Sequence, residues 1–111
     1  MERRSPKVFV CDPHPFTLQG VERAFKRAGL NVVGTTTDPQ QCLASPDEDG
    51  TVIYFVDYSP GGAYGARLVS GLIDTDPTRR VVAASAHERI PIIASAYEAG
   101  ACAFVTKHLA P

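Results

Sequence analysis

The sequence predicts an α/β domain: a mostly parallel sheet with helices on both faces. Three observations predict it. Five short apolar runs recur along the chain, segments of helical periodicity separate them, and the connections between are short. Strands that alternate with helices in this way pair in parallel, because each parallel neighbour needs a right-handed helical crossover. The 111 residues, 44% hydrophobic, suffice for one core and not for two, so residues 1–111 read as a single domain.

Lys7 to Cys11 (KVFVC) is β-branched and apolar, suited to a strand buried on both faces, and is taken as β1. From Phe16 to Leu30 the apolar residues Phe16, Leu18, Val21, Phe25, Ala28 and Leu30 recur at roughly helical spacing; this is α1, stopped by Gly29. Asn31 to Thr35 is β2. Asp38 then offers an N-cap with Pro39 at the first helical position of α2, and the polar loop PDEDG follows. Thr51 to Val56 (TVIYFV) is the clearest strand, β3, and it ends at Asp57. Beyond the glycine-containing loop YSPGGAYG, Ala66, Leu68, Val69, Leu72 and Ile73 form the apolar face of α3, closed by TDPTRR. Arg80 to Ala84 is β4, Pro91 to Ala99 is α4 with Gly100 as its cap, and Cys102 to Thr106 is β5. No internal repeat, low-complexity tract or linker interrupts the series.

A net charge of −1 and a pI near 6.3 give no electrostatic footprint for nucleic acid or an anionic membrane. The small cluster of Arg3, Arg4 and Lys7 reads as solvated. The cysteines, Cys11, Cys42 and Cys102, are odd in number and lack CxxC spacing, which reads as buried thiols in a reducing compartment. With no apolar signal-peptide core and no apolar stretch long enough to cross a bilayer, the expectation is a soluble, cytoplasmic protein without membrane contact.

Ligand sites of parallel sheets lie at the C-terminal ends of the strands, where strand order reverses. Those ends carry Asp12, Asp57, Ser85 and Lys107. His14, between two prolines at a helix start, reads as a partly exposed turn residue, and His87 and His108 have no sequence neighbours that would make a metal site. Tyr58 and Tyr64 flank the pocket as half-exposed loop residues. GGAYG lacks both the GxGxxG pattern and the Lys-Ser/Thr of a P-loop.

Four segments in order, VFVCDPHPFTLQG, IYFVDYSPGGAYG, VVAASAH and EAGACAFVTK, resemble the receiver domain of bacterial two-component response regulators, from about Lys7 to the end of the chain. The His-Pro pair after the acidic turn and the small residues ahead of Lys107 resemble the branch that carries a LuxR-type DNA-binding domain. The resemblance implies a flavodoxin-like fold with strand order 2-1-3-4-5. It implies Asp57 as the phosphoacceptor, because a carboxylate forms an acyl phosphate reactive enough to be reversed. It also implies that Lys107 neutralises a phosphoryl oxygen, that Ser85 turns its hydroxyl to another, and that Phe104 is the aromatic switch residue. Asp12, Asp57 and the backbone carbonyl of Ser59 would be the Mg²⁺ ligands.

The sequence departs from the family at Pro13. Two adjacent acids usually end β1 in the family, and here Asp12 takes the first position and proline the second, which is the direct metal ligand. Magnesium is commonly held by one or two carboxylates plus phosphate and water, so the loss of one weakens the site. Asp12, Asp57 and Lys107 sum to −1, and a direct Asp57–Lys107 pair is expected to hold the pocket together without metal. Further departures are Pro60, Gly61 and Gly62 in the phosphoacceptor loop, Tyr64 where an acid is frequent, and His108 where proline is common. The chain stops at HLAP, where the family's fifth helix would begin, so that helix and any effector domain are expected to be missing from it.

Two functional readings stay open. In one, the domain takes a phosphoryl group from a sensor histidine kinase or another phosphodonor, dimerises through the α4–β5 face, and meets DNA only through a missing effector domain. Any activity is then limited to self-phosphorylation and autodephosphorylation. In the other it is a phosphorylation-independent dimerisation or docking module. A small phosphohydrolase would want an acid where His14 stands, and a flavin-binding protein would want a hydroxyl-rich loop in place of Pro-His-Pro.

Overall fold

The computed structural model describes residues 6–47, 49–59 and 63–107. The Arg3-Arg4 cluster, the Pro60-Gly61-Gly62 segment, His108 and the rest of HLAP lie outside the described residues. Nine elements alternate: β1 (Lys7–Cys11), α1 (Pro15–Arg27), β2 (Asn31–Thr36), α2 (Pro39–Ala44), β3 (Val52–Asp57), α3 (Ala66–Thr75), β4 (Arg80–Ser85), α4 (Ile90–Ala99) and β5 (Ala103–Thr106). The strands form one parallel sheet in the order β2-β1-β3-β4-β5, as expected, with β1 and β3 adjacent at its centre. Among the described residues no fifth helix follows β5.

Side chains alternate across a strand, so each central strand feeds two cores. One core packs Tyr54, Val56, Val81 and Ala83 of the sheet against Cys42 of α2, Leu68, Val69 and Leu72 of α3, and Ala96 of α4. The other packs Val8 and Val10 against Leu18 of α1, with Val21, Phe25 and Phe55 partly buried beside them. Phe25 and Phe55 meet edge to face at 5.0 Å, the arrangement ring quadrupoles favour. Phe9 lies so close to β2 that a Cβ at Gly34 would stand 2.5 Å from its ring, so only glycine fits opposite it.

The local signals act where the sequence places them, with shifted ends. Helix α1 stops at Arg27, short of the expected Leu30, because Gly29 (φ +86°) turns the chain. The Leu30 and Gly29 amides then donate back to the carbonyls of Phe25 and Lys26, a Schellman closure. Asp38 caps α2 by accepting from the Gln40 amide at 2.9 Å. Gly100, with φ +116°, ends α4. Three expectations are corrected. Phe16 is 89% exposed, since the first turn of α1 overhangs the sheet. Cys102 is exposed, because it precedes the edge strand β5, while Cys11 and Cys42 are buried as expected. Tyr58 and Tyr64 are buried, not half-exposed.

Candidate functional site

Parallel strands deliver their C-terminal ends to one rim of the sheet. In-register pairing sets Cys11 opposite Val56 and Asp57 opposite Ala84, which brings Asp12, Asp57 and Ser85 to neighbouring positions. The Lys107 amide donates to the Ser85 carbonyl at 2.7 Å, which fixes where the lysine leaves β5. Its ammonium reaches inward and lies between the two acids, 2.5 Å from Asp12 Oδ2 and hydrogen-bonded to Asp57 Oδ1. The expected Asp57–Lys107 pair is present, and Asp12 completes a triad that the sequence did not announce.

Each remaining carboxylate oxygen has a partner. Asp12 Oδ1 accepts from the His14 amide at 2.9 Å and faces His14 Nδ1 at 3.2 Å. Asp57 Oδ2 accepts from the Ser59 hydroxyl at 2.9 Å. The bond from Asp12 to the amide two residues on is an Asx turn, and it gives Pro13 a local role. Proline loses its N–H at a position where the turn uses the next amide, and its ring stiffens the bend. Pro15 then sits in the first turn of α1, with the exposed His14 as N-cap.

Both acids are almost fully buried, and burial of a charge is tolerated only with a partner. Burial also works against the Lys107 ammonium, but the hydrogen bonds and charges of Asp12 and Asp57 outweigh it and hold its pKa above the ordinary lysine value. With Lys107 charged and both acids ionised the cluster carries −1. Among the described residues Asp12 and Asp57 are the acidic groups at the site, Pro13 supplies no side-chain oxygen, and all four carboxylate oxygens are engaged. A divalent cation does not fit this arrangement unless Lys107 moves.

The triad opens into a cavity of about 590 Å³. Asp57, Ser59, Ser85 and Lys107 form its polar end, and Val21, Phe55 and Val105 its apolar end. Ser85 is buried, and its hydroxyl accepts from the His87 amide at 3.0 Å. Phe104 is half-buried against the larger core, its ring 6.4 Å from that of Tyr58. His87 lines the cavity, but among the described residues no group of three or more His, Cys, Asp or Glu is placed to hold a metal.

Neither tyrosine lines the cavity. Tyr64 points to the opposite side of β1, where its hydroxyl donates to the Thr37 carbonyl and accepts from Cys11 Sγ at 3.6 Å. Hydrogen bonding from the Cys42 thiol lowers the pKa of Cys11 despite burial. Sequence reasoning missed the contacts of Ser59 and His14 with the acids. The Asp-x-His spacing of an Asx turn was the available signal for the second.

A central β1–β3 pair bearing two acids, with a lysine crossing from the edge strand, defines a receiver-type signalling domain. The profile of the response regulator receiver domain matches residues 8–111, and the chain belongs to that family. It is 31% identical over 102 residues to the probable transcriptional regulatory protein NarL of Mycobacterium tuberculosis, a match covering 91% of this chain and 47% of that protein. The chain thus spans about half the length of the curated relatives it matches. The solved receiver domain of the putative response regulator NarL from Mycobacterium tuberculosis superposes with a TM-score of 0.85 at 29% identity, covering 97% of this chain and 88% of that one. A LuxR-family response regulator from Aurantimonas sp. SI85-9A1 gives 0.84 at 25% identity, over 94% and 75%. These likenesses place the chain with receivers of the LuxR branch. No described helix is long and apolar enough to cross a membrane.

Proposed function

We propose that this domain is the receiver of a response regulator in which Asp57 accepts a phosphoryl group from a sensor histidine kinase or a small phosphodonor, with Mg²⁺ held weakly. The observation that carries the reading is the Lys107 ammonium lodged between Asp12 and Asp57. In phosphoryl transfer the protein supplies positioning and charge stabilisation. An Asp57 carboxylate oxygen attacks phosphorus, the bond from phosphorus to the donor's leaving group breaks, and the new acyl phosphate carries more negative charge than the carboxylate it replaces. Lys107 is already in place to balance that charge, and the Ser85 hydroxyl at the same rim, which accepts from the His87 amide, can turn its O–H to donate to a phosphoryl oxygen. Phe104 then follows the space Ser85 leaves. The output is conformational, a charge change read as a shape change on the α4–β5 face.

That face exposes Ile90 and Tyr97, which suits a homodimer contact. Kinship with transcriptional regulators supports a reading in which DNA binding falls to a separate effector domain and the protein works in the cytoplasm without membrane contact. The domain is not an enzyme beyond its own phosphorylation and dephosphorylation.

One observation favours a second reading. The four carboxylate oxygens are satisfied without metal, so the pocket is already neutralised as far as one lysine allows, which suits a phosphorylation-independent docking module. Intact-mass measurement after exposure to acetyl phosphate, with and without Mg²⁺, separates the two. A phosphoryl adduct that disappears in Asp57→Asn supports the first reading, and no adduct under either condition supports the second. Pro13→Asp should tighten Mg²⁺ binding and speed adduct formation.

A further inference from the structure

We infer that Tyr58 is a strut that couples the Asp57 pocket to helix α4, in parallel with Ser85 and Phe104. Its physiological trigger rests on the reading of Asp57 given above, but the strut is a property of the fold and can be tested without phosphorylation.

Tyr58 shares a peptide bond with Asp57, so a backbone shift of one moves the other. Its amide donates to the Ala84 carbonyl at 2.7 Å, next to Ser85. Its side chain is 2% exposed and runs away from the cavity into the core, where its hydroxyl hydrogen-bonds the Ser95 hydroxyl on α4. On the way the ring meets Phe104 edge to face, with 73° between the planes. One rigid side chain therefore touches the phosphoacceptor strand, the aromatic switch position and α4.

The grip of α4 on the rest of the fold gives this contact its weight. Of the residues in α4, Ala96 alone is fully buried, with Ile92 and Ala99 packed against the core from partly buried positions. A helix seated on a methyl group and two half-buried side chains is poorly fixed against rotation about its axis, because little interdigitation opposes the turn. Ser95 precedes Ala96, so its bond to Tyr58 is a directional pin at the buried seam, where a hydrogen bond has strict geometry and apolar contact does not. The opposite side of α4 displays Ile90 and Tyr97. Any rotation set by the pin changes how these apolar side chains are presented.

Backbone amide exchange across α4 tests the strut. In the otherwise unaltered chain, Asp57→Asn should change α4 exchange by about threefold or more, as expected when one partner of a coupled local equilibrium is altered. In Tyr58→Phe, which keeps the ring and loses the hydroxyl, that response should vanish. Ser95→Ala should behave alike and guards against a folding defect in the tyrosine variant, while Ser95→Thr, which keeps a hydroxyl, should retain the response. Equal responses to Asp57→Asn with and without the Tyr58 hydroxyl would overturn the strut, as would no response in the unaltered chain. Neither result bears on the phosphoryl adduct, and a missing adduct leaves this measurement intact.

Discussion

The two faces of the sheet are built differently. The face under α2, α3 and α4 is closed: Tyr54, Val56, Leu68, Val69, Leu72 and Val81 are almost inaccessible. The other face has α1 over β1 and β2, while towards β5 the described residues leave Phe55 half-buried and Val105 39% exposed. The polar triad lies at the C-terminal rim, next to the half-open side. Stability and chemistry are thus divided between the faces. The closed side pins the strands, and the rim is left free to respond to charge.

The largest effect should come from the triad, because Asp12 and Asp57 are the buried charged residues among those described. Lys107→Met leaves Asp12 and Asp57 facing each other without a cation, and should cost about 3–5 kcal/mol of stability at pH 7, measured by urea unfolding. An unchanged midpoint would show that the rim contributes little and that the closed face carries the fold alone.

The contrast between the faces predicts the next effect. Leu72→Ala, on the closed side, should destabilise by about 2–5 kcal/mol, as cavities in sealed cores do. Val105→Ala, on the open side, should cost within about 0.5 kcal/mol. Comparable losses at the two sites would mean that the open side is covered in solution.

The smallest effect concerns pH. The folded-state pKa of Lys107 is raised, so its contribution is fully present below the ordinary value of 10.5 and is lost as pH rises through the higher folded value. Thermal unfolding should therefore show an alkaline decline above that value that is weaker in Lys107→Met. Equal declines in both proteins would remove Lys107 from the account.

Much of the fold was legible because its signals are local. Strands β1, β3 and β4 were marked by β-branched runs, and helix ends by Asp38, Gly29 and Gly100, whose preferences depend on their own backbone angles. The boundaries of α1 and the exposure of Phe16 were less legible, because helical periodicity says which residues share a face and not how far that face extends over a sheet. The site was legible as a set of strand ends and illegible as a network. The family resemblance and the charge count at the strand ends pointed to Asp57 with Lys107, but the reach of Lys107 to Asp12 depends on the register of strands far apart in sequence. Tyr58 and Tyr64 were read as alike, and they diverge because one follows β3 into the larger core while the other folds back against β1.

By itself the sequence determined the alternation of strand and helix, the residues at each strand end, and the absence of a second acid at Pro13, since these follow from residue type and order. Tertiary structure alone decided that a single ammonium satisfies both acids and that Tyr58 reaches α4. Those contacts join side chains whose directions are fixed only once the sheet is assembled, and no local preference encodes them.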